Sequence, residues 1–310
     1  MITLGIDTSN YATSMALFDS SSNSVICSFK KFLPVKSGSC GLRQSDAVFH
    51  HTVALQELLQ NVNEVKPISI VEAVCVSNKP RPIEGSYMPC FLTGVTLAKA
   101  IATSLNVPLF YKSHQEGHLS SAIHALNNND LYNEKLLFFH ISGGTTELLL
   151  CDGLKIEKCI GGSNDLYAGQ AVDRLGVKLG FDFPSGVMVS KLAEKCDEDM
   201  PVSVSVSGLN CNLSGLQNKC EQLLASGKSD EYVCKYCLKS IAVTIIKMIE
   251  NARKIYPNYK AICAGGVMSS TIIKQYVQKN AKDTFFVSGE YSSDNAMGTA
   301  KMAYLSYGEK

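Results

Sequence analysis

Two histidines lie four residues apart in the segment SHQEGHLSS, at His114 and His118. If this segment is helical, four residues make about one turn, and both imidazoles lie on one face of the helix. Two imidazoles at this spacing can bind one metal ion. Two polar residues on a solvated helix face are the alternative interpretation, and the pair alone fits both.

The segment differs from the metalloprotease motif HExxH in the position of its acid. Glu116 follows the first histidine by two residues, whereas the protease glutamate is adjacent to it. Two residues correspond to about 200° around a helix, so Glu116 faces away from a metal held by both histidines. The sequence therefore excludes Glu116 as a protease general base.

A metal site needs a third ligand, and two residues are candidates. His140 closes the apolar strand LLFFH before a glycine turn, where an imidazole can face a cleft or serve as a core or edge histidine. Asp294 begins the last helix in SSDNAMG, where an N-cap is the alternative role. Asp7 ends the first strand beside a Thr/Ser turn, where an acid can organise a metal or a water, as a possible catalytic residue, or stabilise the turn.

Two glycine turns could bind an anion or a nucleotide. SGGTTE, from Ser142 to Glu147, joins two strands and exposes backbone amides. AGGV, from Ala264 to Val267, leads from a strand into a helix. Gly-Gly is also a common hairpin turn, and neither segment has the spacing of a Walker loop or a dinucleotide fingerprint.

Other reactive side chains are assigned to structure. Cys234 and Cys237 form a lone C-x-x-C in a periodic helical segment, with no second pair at zinc-ribbon spacing, which favours core cysteines. His50 and His51 lie on the first predicted helix, where only one of them can face inward.

The predicted strands and helices that would position these residues occur in the same order twice along the chain. Three meandering strands near residues 2–32 precede helix, strand, helix and strand, an order typical of a ribonuclease-H-like α/β half. After the polar stretch LNNNDLYNEK the pattern restarts, with helical segments around 165–179 and 212–254. We expect one lobe over residues 1–130 and a second over 131–292, with a cleft between them, and a C-terminal helix of about 293–310 that packs back onto the first lobe.

Composition limits the classes of protein. The chain has 310 residues, 45% hydrophobic and 18% charged, which indicates a globular protein, and its net charge is +1. An RNA-binding face would therefore be local or supplied by partner subunits. The start MITLGID reads as a strand rather than a signal peptide, so the 12 cysteines are expected to be reduced. No apolar run reaches a membrane-spanning length, and we expect a cytoplasmic protein without membrane association.

These pieces, in order along nearly the whole chain, resemble the universal tRNA threonylcarbamoyladenosine synthase family, formerly called glycoproteases. The matching segments are GIDTS, HQEGH, ISGGTTEL, DLYAGQAVDRLGVKLGFDFPSG, VSVSGLNCNL, AGGVMSS and SSDNAMG. The resemblance implies an α/β fold of two lobes of the actin, hexokinase and heat-shock ATPase superfamily, with an interlobe cleft.

The resemblance also implies the site. His114, His118 and Asp294 would be the ligands of one divalent metal ion, iron or zinc. His140 stands where some relatives have a tyrosine that approaches the metal, and we predict that it joins the site. The substrate and nucleotide contacts would come from two glycine turns and the segment after the linker: Ser142, Gly143, Gly144, Asp173, Gly186, Gly265, Gly266 and Ser270.

The implied reaction is acyl transfer to tRNA. An adenylate-forming partner enzyme would supply threonylcarbamoyl-AMP, which binds in the cleft. The exocyclic amine of the adenosine beside the anticodon would attack its carbonyl, with the metal as Lewis acid, and AMP would leave. Accessory protein subunits are further expected partners.

The sequence departs from the family pattern mostly around the nucleotide and acyl group. Asn10, Leu166, Gln170, Asn210 and Ser270 replace, in order, residues of C-D-E-T, D-D, G-E-A, S-G-L-K and A-G-G-V-x-x-N. A paralogous carbamoyltransferase acting on a small molecule therefore stays open. So do a non-catalytic scaffold of a tRNA-modification complex, expected to lose the metal ligands, and a sugar or acid kinase, in which the histidine pair is not expected.

Overall fold

A computed structural model gives the structure of the chain. It describes residues 1–9, 11–34, 42–287, 291 and 296–308. Two compact units make up the chain: unit 1 comprises Met1–Ala125 with Asp294–Lys310, and unit 2 comprises Leu126–Ser293. Each unit has its own sheet and its own hydrophobic core.

Unit 1 is built on a five-stranded sheet of order β3-β2-β1-β4-β5. Its strands are β1 Ile2–Ser9, β2 Ala12–Asp19, β3 Ser24–Phe32, β4 Ala73–Lys79 and β5 Leu109–Ser113. The first three strands pair antiparallel, and β4 and β5 continue the sheet in parallel. The meander predicted from the sequence is thus confirmed, and β1 and β2 are buried nearly throughout because helices cover both faces of the sheet.

The helices of unit 1 are α1 Gln44–Val65, α2 Phe91–Leu105, α3 His114–Ala125 and α9 Met297–Gly308. Apolar side chains of α1 recur at helical spacing, so Leu55, Leu58 and Val62 join the core beside Leu4 and Ile6 of β1. Helix α9 packs against β1 and α3.

Unit 2 has a seven-stranded sheet of order β12-β11-β6-β7-β8-β10-β9. Its strands are β6 Lys135–Ile141, β7 Thr146–Asp152, β8 Lys155–Ser163, β9 Ser205–Ser207, β10 Asn210–Asn212, β11 Lys260–Ala264 and β12 Thr284–Phe286. The first three of these form the second antiparallel meander, and β11 lies parallel to β6 with Ala264 opposite His140.

The helices of unit 2 are α4 Ala168–Lys178, α5 Gly186–Ala193, α6 Ser214–Ala225, α7 Asp230–Ile255 and α8 Thr271–Asn280. The helical pattern expected over 212–254 is broken between α6 and α7, because Gly227 adopts φ +80° and Ser229 caps the next helix. Cys234 and Cys237 are fully buried on α7, which confirms them as core cysteines.

The strand directions bring the candidate residues to particular edges of the two sheets. In unit 1, the carboxyl ends of the parallel strands β1, β4 and β5 lie side by side, and they carry Asp7 and the start of α3. In unit 2, the ends of β6 and β11 carry the two glycine turns. Within the described ranges, no helix has the length and apolar character needed to cross a membrane.

Candidate metal centre and nucleotide-binding turns

Helix α3 begins with a reciprocal cap that fixes its first turn. The Glu116 carboxylate accepts hydrogen bonds from the backbone N–H of Ser113 at 2.7 Å and from its hydroxyl at 2.6 Å. The Glu116 N–H in turn donates to the Ser113 hydroxyl at 3.2 Å, which completes a capping box. Glu116 therefore stabilises the helix start, in agreement with its exclusion as a general base.

The two histidines of α3 meet through their Nε2 atoms. His114 Nε2 and His118 Nε2 are 3.0 Å apart, and the ring centroids are separated by 4.4 Å. Metal–nitrogen bonds of about 2.0–2.1 Å at angles of about 90–110° place two ligand nitrogens about 2.8–3.4 Å apart. The pair therefore fits two ligand positions on one cation. His118 is 5% exposed, and the His114 side chain is 18% exposed.

Asp7 holds the other nitrogen of His114. Its Oδ1 accepts from His114 Nδ1 at 2.9 Å, and its Oδ2 accepts from the Ser9 N–H at 3.3 Å. Asp7 is only 1% exposed. Both roles considered from the sequence, turn stabilisation and organisation of a metal site, are thus compatible with its contacts. The proximity of Asp7 to His114 was not predicted, because 107 residues separate the two.

The predicted third ligand, Asp294, lies outside the described residues. Among the residues that the structure describes, no group of three His, Cys, Asp or Glu side chains is arranged to hold a metal. Helix α9, which follows this segment, packs closely on α3: the Gly298 N–H donates to the Ser121 hydroxyl at 3.0 Å. A Cβ at Gly298 would collide with the Gly117 carbonyl and lie 2.6 Å from the Ser121 nitrogen, so the close approach requires glycine.

A second buried histidine lies near this site, on α1. His51 Nδ1 is 2.7 Å from the Thr13 hydroxyl of β2, and His51 is 0% exposed. Burial lowers the pKa of His51 to about 4, although Asp7 and the Ser9 backbone oppose the shift. The ring is therefore neutral at pH 7. The sequence indicated that one histidine of the pair faces inward, but it gave no signal for the contact with Thr13.

His140 lies at the end of β6 in unit 2. It is 5% exposed, and its ring stacks on Phe138, with centroids 6.0 Å apart and an interplanar angle of 11°. In the sheet it is opposite Glu147 on one side and Ala264 on the other. Its role as a metal ligand stays a prediction of the sequence.

The turn after His140 is closed by a hydrogen bond from the Ser142 N–H to the Thr145 carbonyl, at 2.9 Å. Gly143 and Gly144 are exposed, and a Cβ at either would meet no atom within 4 Å. Neither has a positive φ that would demand glycine. Packing and backbone geometry thus do not require glycine at these two positions. Because glycine has no side chain, both residues leave the turn amides open to a ligand that approaches closely.

The start of α4 lies directly against this turn. A Cβ at Gly169 would lie 2.5 Å from both the Gly143 Cα and the Ser142 carbonyl oxygen. The Ala168 N–H donates to the Thr146 hydroxyl at 2.8 Å, which ties the helix start to β7. Helix α4 therefore fixes the position of the turn.

The second glycine turn packs on the end of β6. Gly265 has φ +108°, and a Cβ there would collide with the Ile141 carbonyl, so the fold itself requires this glycine. Gly266 begins a short 3-10 helix that ends at Ser269. Ser270 follows, and its hydroxyl is 3.0 Å from that of Ser190 on α5.

Asp173 joins α4 to the start of α5. Its carboxylate accepts from the Ser185 N–H at 2.9 Å and from the Ser185 hydroxyl at 3.3 Å. Burial raises the pKa of Asp173, and hydrogen bonds from Ser185 and Gly186 oppose the shift. Asp173 and Gly186, predicted to contact a ribose, are thus neighbours in unit 2.

Three of the residues that depart from the family pattern have structural roles here. Leu166 is 5% exposed in the core of unit 2. The Gln170 side chain accepts from the Tyr167 N–H at 3.3 Å at the start of α4, and Asn210 accepts from the Gly162 N–H at 3.1 Å. Asn10 lies outside the described residues.

The two units, each with an antiparallel meander that continues into parallel strands, have the fold of the actin and hexokinase class. The activator of 2-hydroxyisocaproyl-CoA dehydratase from Clostridium difficile, solved with bound ADPNP, matches with a TM-score of 0.59 at 11% identity, over 100% of this chain and 96% of that one. A ROK family glucokinase from Streptomyces griseus matches with a TM-score of 0.55 at 11% identity, over 98% and 100% of the two chains. These likenesses establish the predicted fold class.

Sequence comparison identifies the family within this class. A profile of the tRNA N6-adenosine threonylcarbamoyltransferase family matches residues 40–301. The chain belongs to this family of tRNA-modifying transferases. The transferase of that name from Neorickettsia sennetsu is 28% identical, over 94% of this chain and 90% of its own length. A probable bifunctional tRNA threonylcarbamoyladenosine biosynthesis protein from Thermoplasma acidophilum is 22% identical, over 99% of this chain and 56% of its own length.

Proposed function

We propose that this protein transfers a threonylcarbamoyl group from threonylcarbamoyl-AMP to the exocyclic amine of the adenosine next to the anticodon in tRNA. The observation that carries the proposal is the imidazole pair of α3, with 3.0 Å between Nε2 atoms, in a chain whose residues 40–301 match the transferase family. A scaffold protein would have no need of this pair, and retention of both histidines favours an enzyme.

The metal ligands in this proposal are His114 and His118, with Asp294 as the predicted third and His140 as a predicted further ligand. Nitrogen and carboxylate ligands suit both iron and zinc. A divalent cation, when bound, supplies a Lewis acid for acyl transfer. The protein's own contribution in unit 1 is to orient the two rings, through the capped start of α3 and the carboxylate of Asp7.

The adenylate would be held by unit 2. In the turn of Ser142, Gly143 and Gly144, the two exposed glycines offer backbone amides to a phosphate or to the carbamoyl end. Asp173 and Gly186 would contact the ribose, and Gly265, Gly266 and Ser270 the adenine side. The Asp173 carboxylate is held by hydrogen bonds from Ser185 and Gly186, which fix it beside the start of α5 for a contact with the ribose.

The chemical step exchanges one bond at the carbonyl carbon. The amine nitrogen of the adenosine forms a new bond to this carbon and loses a proton, and the bond between the carbon and the phosphate oxygen breaks. AMP leaves with the electron pair of that bond. Turn amides that face the developing phosphate charge would favour this departure.

Partners are part of the proposal. A separate enzyme would supply the adenylate, and accessory subunits would contribute to tRNA binding, because a net charge of +1 gives this chain little overall attraction for a polyanion.

The test is transfer of label from threonine into tRNA. The purified chain is mixed with tRNA lacking the modification and with threonylcarbamoyl-AMP made by an adenylate-forming enzyme, and the tRNA nucleosides are identified by mass spectrometry. We expect threonylcarbamoyladenosine with the wild-type chain and at least about 100-fold less with His118→Ala, because that variant lacks a ligand of the Lewis acid. Transfer to a small carbamoyl acceptor, with none to tRNA, would contradict the proposal in favour of the paralogous reaction.

A further inference from the structure

Asp7 is a buried acid whose carboxylate is directed at a candidate ligand. It is 1% exposed, and its Oδ1 lies 2.9 Å from His114 Nδ1. Ionised groups at this depth are costly unless hydrogen-bonded partners compensate. His114 and the Ser9 backbone provide such partners at the two carboxylate oxygens.

The backbone around Asp7 holds the carboxylate in place. Asp7 is paired with Ser14 of β2 in the antiparallel ladder, and its neighbour Ile6 is paired with Val76 of β4 on the other side. A strand with neighbours on both sides has little freedom to shift. The Asp7 carboxylate is therefore held in place, and its contact orients the more exposed ring of His114.

The contact determines which ring nitrogen of His114 faces His118. With Nδ1 donating to a carboxylate, the neutral ring carries its proton on Nδ1 and leaves a lone pair on Nε2. That Nε2 is the atom 3.0 Å from His118 Nε2. Carboxylate, histidine and cation in this order form an arrangement that raises the basicity of the ligand and fixes its orientation.

We propose that Asp7 is a positioning residue that sets the tautomer and the ring orientation of His114 for metal binding. This inference rests on the proposed metal site, and it assigns to Asp7 a role through His114 rather than direct contact with the reacting atoms.

The test compares Asp7→Asn with wild type by two measurements. Zinc affinity is measured by competition with a chromophoric chelator, and we expect a loss of about 10- to 100-fold, the usual effect of removing such a partner. The tautomer of His114 is read from its ¹⁵N imidazole shifts in metal-free protein, assigned with His114→Gln. Wild type should show an unprotonated Nε2, and Asp7→Asn should move toward a mixture of tautomers.

Two further variants provide a control and a partial rescue. Asp19→Asn, at the opposite end of the β1–β2 pair, should keep wild-type zinc affinity, and Asp7→Glu should recover part of the affinity lost in Asp7→Asn. Unchanged zinc affinity and unchanged His114 shifts in a folded Asp7→Asn protein would overturn the inference.

Failure of the proposed function gives a different result. If wild-type protein binds no zinc and no iron, the metal premise of the proposed function fails. The His114 shifts then still decide on Asp7: a tautomer that changes in Asp7→Asn supports its effect on the ring, and one that does not change overturns it.

Discussion

His114 is constrained at both ring nitrogens, and the constraints come from different parts of unit 1. Asp7 on β1 holds Nδ1, and the first turn of α3 directs Nε2 toward His118. The His114 side chain nevertheless keeps 18% of its surface exposed. The buried carboxylate of Asp7 keeps this partly exposed ring oriented. Ligand geometry is thus built before a metal binds, which reduces the entropy lost on binding.

His140 provides a separate prediction at the residue scale. If it contributes to the metal site as the sequence predicts, His140→Phe should lower the metal retained after dialysis against a chelator, because an imidazole ligand is lost. Phenylalanine suits the apolar strand and the stacking on Phe138, so the fold of unit 2 should persist. Metal content is measured by mass spectrometry, with His50→Phe on α1 as the matched control. Equal retention in His140→Phe and wild type would exclude His140 from the ligand set.

Residue spacing predicted the contact between the two histidines of α3 but not the contacts between distant residues. The His114–His118 pair follows from sequence because residues four apart on a helix are neighbours. Asp7 and Thr13 meet histidines that are 107 and 38 positions away, and only the packing of strands and helices brings them together. The type of each residue suggested chemistry, but its partner depended on the tertiary structure.

At the scale of elements, the position of α4 against the Ser142–Gly144 turn gives a prediction. In Gly169→Ala, the new Cβ would lie 2.5 Å from the Gly143 Cα, so α4 or the turn must move. We expect a loss of about 1–3 kcal/mol in the free energy of unfolding, typical of overpacking, and a KM for the adenylate several-fold higher. Chemical denaturation and steady-state kinetics provide the two measurements.

The control for this prediction is a helical glycine with room around it. Gly215 lies in the first turn of α6, and a Cβ there would meet nothing within 4 Å. Gly215→Ala should leave KM unchanged and stabilise the protein by about 0.5–1 kcal/mol, the gain expected for alanine in a helix. If Gly169→Ala had the same KM as Gly215→Ala, α4 would have no part in positioning the turn for substrate.

The longer strands were predicted from the sequence, whereas a break between two helices and two short strands were missed. The two antiparallel meanders were predicted because their apolar strands are separated by clear turn signals. The break between α6 and α7 was missed although the polar run SGKSDE, residues 226–231, interrupts the apolar spacing there; Gly227, with φ +80°, follows the end of α6. The strands β9 and β10 have three residues each, too few for an alternation to be recognised.

At the scale of the whole molecule, two histidines of unit 1 whose pKa values are lowered predict acid sensitivity. Burial lowers the pKa of His51 to about 4 from an ordinary value of 6.5, and burial together with the Lys301 ammonium lowers that of His124 to about 4. Between about pH 4 and pH 6.5, these two histidines bind protons in the unfolded chain but not in the folded chain. Their contribution to the free energy of unfolding is therefore fully present above pH 6.5 and is lost as the pH falls toward 4.

His51→Gln tests this linkage. The contribution of His51 to the pH dependence is about 1–3 kcal/mol, and the variant should lose less stability than wild type between pH 7 and pH 4.5. Thermal unfolding followed over that range gives the slopes, and His50→Gln serves as the control on the same helix. Parallel pH profiles for wild type and His51→Gln would mean that His51 is not kept neutral by the fold.

X-ray absorption at the metal edge, in protein loaded with iron or zinc, tests directly whether His114 and His118 bind the metal. We expect imidazole scattering from at least two nitrogens at about 2.0–2.1 Å in wild type, and one imidazole fewer in His118→Ala. A bound metal whose spectrum lacks imidazole, or is the same in both proteins, would contradict the assignment of His114 and His118 as ligands.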